Sequence, residues 1–209
     1  MSLGNETLNK FLDDLASDLP APGGGSVAAL GTSLACALIS MVANLTVGRE
    51  KYRANWEKMA SVVEMSEQLR MKSLALMDED VESFNAYMAA LKMPKETDAQ
   101  KSARASELEK TAKRAAEAPL SMLELCAKTA ELALHAAEYG NPNTATDAGS
   151  AAVFAEAAGK AAAYNVRINL SGIKDEAFTA QAGERMERAL AEIARNCKLT
   201  EAAMDKILK

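Results

Sequence analysis

The sequence LPAPGGGSVAALGTSLACALISMVANLT, at residues 19–46, carries no charged residue. Two prolines and a glycine triplet open this segment, and an apolar run diluted by Ser, Thr and Asn follows. The run is long enough to span a bilayer, but a buried helix of a helical bundle has the same hydropathy. Because polar residues interrupt the run and the sequence has no second one, we predict a buried helix over residues 26–47 and no membrane partner.

The composition of the chain favours helices over strands. Of its 209 residues, 49% are hydrophobic but only 4% are aromatic, and alanine, leucine and methionine make up the difference. The formal net charge of −5 argues against a nucleic-acid partner, since phosphate binding needs an excess of basic side chains. The three cysteines lack metal-ligand spacing, so we expect buried, reduced thiols, no metal site and a cytoplasmic location. The N-terminus has no basic region ahead of an apolar core, so no signal peptide is predicted.

Hydrophobic periodicity and helix breakers divide the chain into amphipathic helices. The predicted helices cover residues 6–17, 26–47, 50–91, 98–117, 119–139, 146–170 and 175–208. Prolines, glycines and the polar segments KMPKETD and YGNPNTATD separate them. The sequence contains no linker, repeat or low-complexity tract, so we predict a single all-α domain over residues 1–209, folded as an antiparallel helical bundle.

The predicted helix over residues 26–47 has two uncharged faces. One is an apolar stripe at helical spacing, which we expect in the core: Val27, Leu30, Leu34, Leu38, Met41 and Leu45. The opposite line is small or polar: Ser26, Ser33, Ala37, Ser40 and Asn44. A solvent-facing surface would carry Lys and Glu, so we expect this second line to pack against another helix or to line a cavity.

The glycine triplet Gly23, Gly24 and Gly25 does not match a nucleotide-binding loop. Such loops follow a strand, and the Walker form needs a Lys after its last glycine, whereas this triplet follows a helix and precedes Ser-Val. Two explanations remain open. The triplet is either a tight turn closed by Ser26 as a helix N-cap, or a set of bare backbone N–H groups that receives a ligand at a helix start.

Among the four acids at residues 78–82, Asp80 alone lies on an apolar helical line. The other members of that line are Leu69, Leu76, Phe84, Tyr87 and Leu91. Asp78, Glu79 and Glu82 point elsewhere and are expected on a solvated face. A carboxyl group among apolar neighbours has a raised pKa, which suits a general acid or base near neutral pH. The alternative is a carboxylate that accepts hydrogen bonds from a neighbouring helix end.

Further polar side chains are expected on the later helices. Asn165 and Asn169 are four residues apart on one face of an otherwise apolar helix, so their amides are placed to bind a polar heterocycle. Asp147 lies at the start of the same helix, where capping is a sufficient explanation. His135, the single histidine, lies late in an apolar helix and is expected to be structural.

Five segments together resemble the cyclodeaminase family, which comprises the C-terminal domain of formiminotransferase-cyclodeaminase and stand-alone bacterial methenyltetrahydrofolate cyclohydrolases. They are APGGGSVAA at residues 21–29, MVANLTVGREKY at 41–52, LMDEDVESFNAYMAALKMPK at 76–95, GNPNTATD at 140–147 and AYNVRINLSGIKDEAF at 163–178. The segments occur in the family's order and spacing over nearly the whole chain. The family usually has Ser-Asp where this chain has Thr146 and Asp147, a difference that keeps the hydroxyl group.

The resemblance implies an all-α folate enzyme that works as a homodimer or a higher homo-oligomer, without a metal or a redox cofactor. The implied reaction converts 5-formiminotetrahydrofolate to 5,10-methenyltetrahydrofolate and ammonia, which is the cyclodeaminase reaction. One alternative is the cyclohydrolase reaction, which opens methenyltetrahydrofolate to 10-formyltetrahydrofolate. An alternative of another class is a non-enzymatic helical interaction protein.

The resemblance also implies roles for individual residues. The family's catalytic acid aligns with Asp80, the residue that the helical register selects independently. The implied substrate-binding residues are Gly23, Gly24, Gly25, Ser26, Asn44, Asn141, Thr146, Asp147, Asn165 and Asn169. The glutamate carboxylates of a folate need cations, for which Arg49, Lys92 and Lys95 are candidates by their place beside the motifs.

Overall fold

The computed structural model describes residues 2–208, and within that range it contains six α-helices and no strand. The helices are α1 (Leu8–Leu15), α2 (Gly24–Asn44), α3 (Trp56–Leu91), α4 (Asp98–Tyr139), α5 (Ala145–Leu170) and α6 (Glu176–Ile207). Short 3-10 turns lie at Leu3–Asn5, Glu50–Asn55 and Pro142–Thr144. The predicted all-α fold is confirmed.

Several observed helix boundaries differ from the predicted ones by a few residues, and residues 50–55, predicted as the start of a long helix, form a 3-10 turn ahead of α3. Two differences affect the site. α2 begins at Gly24 with Gly23 as its N-cap, so Ser26 lies inside the first turn and its predicted capping role is wrong. α4 runs without interruption through Pro119, where the sequence predicted two helices. A proline inside a helix is unfavourable by itself, but α4 packs against α3, α5 and α6, and such packing favours a continuous helix.

α2 and α3 are antiparallel and pack closely through serines. The hydroxyls of Ser33 and Ser73 are 2.7 Å apart, and so are those of Ser40 and Ser66. Residues later in α2 therefore contact residues earlier in α3. The first turn of α2 consequently lies beside the second half of α3, which carries the acidic segment.

On its other side, α2 is antiparallel to α5. A Cβ atom built on Gly31 would lie 3.4 Å from Cβ of Ala158, and one built on Gly24 would lie 3.3 Å from Nδ2 of Asn165. Small residues thus allow the two helices to approach closely. The start of α2 lies beside the end of α5, and the glycine triplet lies between α3 and α5.

The buried apolar side chains of α2, α4 and α5 form the centre of the hydrophobic core, in which alanine predominates. All three cysteines are buried and free, as predicted. Burial raises the pKa of Cys36 to about 11 and that of Cys126 to about 12, so both thiols stay neutral.

The two faces of α2 only partly match the prediction. The apolar stripe is exposed at Val27 (41%), Leu34 (46%) and Met41 (38%), so its assignment to the core is wrong at these three positions. Leu30 and Leu38 pack against the core, as predicted. The opposite line is buried at its three serines, as predicted, because their small side chains let α2 pack on α3. The same line is exposed at Ala37 and Asn44, against the prediction.

Among residues 2–208, α2 is the only helix that is long and apolar enough to cross a bilayer. However, 61% of its most apolar window is buried among the other helices. Packing inside the bundle therefore accounts for the hydropathy of α2.

Candidate functional site

The carboxyl group of Asp80 lies against the backbone of Gly25. The antiparallel packing of α2 on α3 brings these two residues to the same height in the bundle. A Cβ atom built on Gly25 would lie 2.5 Å from Cγ of Asp80, closer than real Cβ atoms come. The missing side chain at Gly25 is therefore what makes room for the carboxyl group.

The surroundings of Asp80 are apolar on the core side. Leu76, Met122 and Ala162 line a small space beside the carboxyl group. Burial raises the pKa of Asp80, because the charged form loses hydration. Within the described part of the chain, no hydrogen bond or ion pair reaches the carboxylate, so an acid held by a neighbouring helix end is not supported.

Asp80, the glycine triplet and the two asparagines of α5 line one cavity of about 320 Å³. Phe84, Tyr87 and Met88 of α3 add an apolar wall. The bare backbone of the triplet forms part of the opposite side. The structure thus brings together six of the residues that the sequence assigned to a site.

Backbone carbonyls orient the amides of Asn165 and Asn169. Nδ2 of Asn165 donates to the carbonyl of Ala161 at 2.9 Å, and Nδ2 of Asn169 donates to the carbonyl of Ala115 at 2.6 Å. A carbonyl oxygen only accepts, so the nitrogen of each amide must face the backbone. Both amide oxygens remain available to the cavity, since no donor in residues 2–208 reaches them.

The cavity continues into a groove that leads away from Asp80. A second cavity of about 260 Å³ shares Tyr87 and Asn169 with the first, and a third of about 620 Å³ shares Tyr87 with both. The far end of the groove carries Arg104, Lys113 and Lys174. These are not the cations that the sequence suggested, none of which lines the three cavities.

Ser26 does not line the cavity, although it directly follows the triplet. Its side chain is fully buried, and its hydroxyl has no hydrogen-bond partner among the described residues. The turn of α2 rotates Ser26 toward the interior, away from the open side that the triplet faces.

The remaining sequence-assigned residues lie at the opposite end of α2 and α5. Along α5, Asp147 and Asn165 are 18 residues apart, which corresponds to about 27 Å. Asn44 ends α2 and Thr146 lies in the first turn of α5, so both lie at that distant end. Within one protomer, these residues do not contribute to the Asp80 cavity.

Asn141, also at the distant end, has a structural explanation. Its backbone N–H donates to Oγ1 of Thr46 at 2.8 Å. Its Oδ1 accepts from the hydroxyl of Tyr52 at 2.8 Å and from the N–H of Asn143 at 3.1 Å. Asn141 therefore joins the end of α2 to the turn before α5.

We expect Asp80→Asn to raise the midpoint of thermal unfolding near neutral pH. Folding raises the pKa of Asp80 above its unfolded value of about 3.9, so stability is lost as pH rises through the folded pKa. Asparagine carries no charge and removes this loss. Thermal scans from about pH 4 to about pH 8 should show a difference that is small at the acid end and grows with pH. Equal midpoints at the alkaline end would contradict the burial of an unpaired carboxylate.

A helical bundle that holds an unpaired, half-buried acid beside two oriented amides has the features typical of an enzyme site for a small polar substrate. The comparisons with known proteins agree with this interpretation. The chain belongs to the formiminotransferase-cyclodeaminase family, whose sequence description matches residues 7–188. It is therefore a folate one-carbon enzyme.

Named relatives cover nearly the whole chain. It is 41% identical to a methenyltetrahydrofolate cyclohydrolase from Methylorubrum extorquens, over 98% of this chain and 99% of that protein. It is 34% identical to the formimidoyltransferase-cyclodeaminase of Sus scrofa, over 91% of this chain and 35% of that protein. The crystal structure of formiminotetrahydrofolate cyclodeaminase from Thermotoga maritima has a similar fold, with a TM-score of 0.90 at 31% identity and 99% coverage of both chains.

Proposed function

We propose that this enzyme hydrolyses 5,10-methenyltetrahydrofolate to 10-formyltetrahydrofolate. The observation that carries the proposal is the unpaired carboxyl group of Asp80 in a cavity that also presents two amide oxygens. The choice of reaction is supported by the 41% identity, over both whole chains, to a protein named for it. The cyclodeaminase reaction, which the sequence analysis favoured, becomes the second candidate.

One carboxyl group is sufficient for the hydrolysis. Ionised Asp80 takes a proton from water as the water oxygen bonds to the carbon between N5 and N10. The same carboxyl group gives that proton to N5 as the bond from N5 to this carbon breaks. The remaining hydroxyl proton leaves to solvent, and the formyl group stays on N10. The raised pKa of Asp80 makes it a stronger base than a hydrated carboxylate, which favours the first transfer.

The cyclodeaminase reaction is supported by the likeness to the Thermotoga maritima protein of that name. In this reaction N10 attacks the formimino carbon of 5-formiminotetrahydrofolate, and a tetrahedral adduct forms. The departing nitrogen must be protonated before ammonia leaves. Protonated Asp80 supplies that proton, so the same residue serves either reaction.

Each substrate given alone to the purified protein separates the two reactions. Hydrolysis removes the chromophore of the methenyl group, whereas cyclodeamination creates it and releases ammonia. We expect the chromophore of methenyltetrahydrofolate to disappear faster than it does spontaneously, and the enhancement to be absent in Asp80→Asn. If the protein turned over 5-formiminotetrahydrofolate but not methenyltetrahydrofolate, the cyclodeaminase reaction would be favoured. The absence of turnover with both substrates would contradict the proposed site.

The groove beyond the cavity supports one direction for the bound folate. With the one-carbon bridge at Asp80, the aminobenzoyl unit lies along Tyr87 and the glutamyl carboxylates reach Arg104 and Lys174. The guanidinium of Arg104 donates to the backbone carbonyl of Leu91 at 3.1 Å and forms no ion pair within residues 2–208. It therefore remains able to pair with a carboxylate of the substrate.

A homodimer that packs through the exposed stripe of α2 is part of the proposal. Val27, Leu34 and Met41 are each seven residues apart, and Leu34 is the middle residue of α2. Phe154 on the neighbouring helix α5 is also exposed, at 44%. Exposed apolar surface on two adjacent helices is typical of a protein–protein contact. A two-fold axis at Leu34 pairs the stripe with itself in antiparallel order, so one patch serves both subunits.

The antiparallel dimer also supports a role for the distant polar residues. The partner subunit's Asn44 would lie near Gly24, because the two α2 helices run in opposite directions. The partner subunit's Thr146 and Asp147 would lie near the same place, since the start of α5 is beside the end of α2. A second subunit would therefore supply to the Asp80 cavity the groups that lie far from it within one protomer.

We expect Leu34→Glu to convert the proposed dimer to a monomer. Turnover should fall as the dimer is lost. The substitution places two carboxylates against each other at the two-fold axis, and both lose hydration there. Leu199→Glu is the matched control, since Leu199 is 48% exposed on α6. Analytical ultracentrifugation of both variants measures the change in mass. An unchanged mass for Leu34→Glu would exclude the α2 stripe as the interface.

A cytoplasmic location completes the proposal. It is supported by three buried free thiols, which a reducing compartment maintains. A purely structural interaction protein is set aside, because the relatives that match the chain are named as enzymes.

A further inference from the structure

Pro119 interrupts the hydrogen-bond ladder of α4 beside the cavity. In an α-helix the carbonyl of residue 115 accepts from the N–H of residue 119, and proline has no N–H. Pro119 lies in the interior of α4, which continues to Tyr139. The carbonyl of Ala115 therefore lacks the donor that an α-helix normally gives it, and Ala115 is buried. A buried carbonyl without a donor is unfavourable, so a donor from elsewhere is required.

Asn169 supplies that donor. Its Nδ2 lies 2.6 Å from the carbonyl oxygen of Ala115, and both residues line the cavity. Rotating the amide by half a turn would set Oδ1 against the carbonyl oxygen, and two acceptors repel each other. The missing N–H of Pro119 thus fixes which end of the amide remains free, and that end is the oxygen.

We propose that Pro119 is a positioning residue for substrate binding, which holds Asn169 so that its amide oxygen accepts a hydrogen bond from an N–H group of the pterin ring. A reduced pterin carries N–H donors on its ring and on its 2-amino group, so acceptors of fixed direction match it. Asn165 also leaves its amide oxygen free toward the cavity, since its Nδ2 donates to the carbonyl of Ala161. This inference rests on the proposed folate substrate.

A simpler role for Pro119 is to fill space near the acid. Pro119 lines the small space beside Asp80, together with Leu76 and Met122. In that case its replacement would act on Asp80 directly, and the effect would not depend on Asn169. The two roles differ in whether the effects of substitutions at Pro119 and Asn169 are independent.

A double-mutant cycle of Pro119→Ala and Asn169→Ala tests the proposal, with KM and kcat measured on methenyltetrahydrofolate. Pro119→Ala returns an N–H to the ladder, so the carbonyl of Ala115 regains its helical donor and Asn169 loses its anchor. We expect KM to rise about fivefold in Pro119→Ala and about tenfold in Asn169→Ala, as for the loss of one hydrogen bond. Each kcat should fall less than KM rises. In the Asn169→Ala background, Pro119→Ala should change KM by less than about twofold.

Additive effects of the two substitutions, or an unchanged KM in Pro119→Ala, would overturn the proposal. The thermal midpoint of Pro119→Ala should rise, because the helix gains an N–H donor, and this verifies that the variant is folded. Asn169→Asp is a second variant that does not alter α4. Its ionised carboxylate cannot donate to Ala115, so its KM should rise as in Pro119→Ala.

The control is Ser121→Ala, two residues further along α4, which should leave KM and kcat unchanged. A wild-type protein that turned over neither folate would overturn the proposed function. A wild-type protein that is active but shows additive substitutions would overturn only the role of Pro119. The two failures are therefore distinguishable.

Discussion

Asp80→Asn is expected to lower turnover by at least about a hundredfold while folate affinity changes little. Asparagine keeps the size and shape of the side chain but neither takes nor delivers the proton. The expectation holds for both candidate reactions, because each routes its proton transfer through this carboxyl group. Measurement of kcat together with the dissociation constant of the folate separates the loss of chemistry from a loss of binding.

Glu82→Gln is the matched control for Asp80→Asn. Glu82 lies on the same helix and is exposed, and its ion pair with Arg114 at 3.4 Å is on the surface, where such pairs stabilise little. Asp78 is unsuitable as a control, although the sequence placed it on a solvated face. Its Oδ1 accepts a hydrogen bond from the N–H of Leu3 at 2.8 Å, so it ties the N-terminal segment to α3. Near-normal turnover in a folded preparation of Asp80→Asn would show that another residue is the catalytic acid.

Helical periodicity was sufficient to predict most of the helices and the partly buried position of Asp80. The acid lies on a line of apolar residues, and most of that line faces the other helices, although Leu91 at its end is 38% exposed. The same line contains Phe84 and Tyr87, which the sequence assigned to an apolar stripe and which the structure places on the cavity wall. Periodicity indicates which residues share a face, but it does not distinguish a packed core from a cavity wall.

The apolar stripe of α2 shows the same limit at the surface. Val27, Leu34 and Met41 have the spacing of core residues, and a helix face that contacts a second subunit has that spacing as well. The serines opposite them allow a close approach to α3, which turns the bulkier side chains outward. One chain's sequence therefore identifies the apolar face without identifying what covers it.

Pro119 could not be interpreted correctly from local sequence. A proline inside a helical pattern predicts a boundary, because the lost hydrogen bond is assumed to stay lost. In the structure, Asn169 replaces the missing donor, and it lies 54 residues after Ala115 in the chain. Long-range replacement of this kind has no signal in helix propensity.

Gly25→Ala is expected to lower turnover nearly as much as Asp80→Asn, although Gly25 moves no proton. The added methyl group would lie 2.5 Å from Cγ of Asp80, so the carboxyl group has to leave its present position. The displaced group moves toward solvent, where it regains hydration and its pKa returns toward the usual value. A displacement of about 1 Å between reacting groups can cost about a hundredfold in rate, so a loss of that order is expected.

Gly23→Ala is the comparison that isolates this contact. A methyl group at Gly23 meets no atom within 4 Å, and its φ of −140° suits any residue. We expect its loss of turnover to be at least about tenfold smaller than that of Gly25→Ala. Thermal scans at the assay pH establish that both variants are folded. If the two variants turned over folate equally well, the contact between α2 and Asp80 would not set the reactive position of the acid, and the site geometry drawn from it would be wrong.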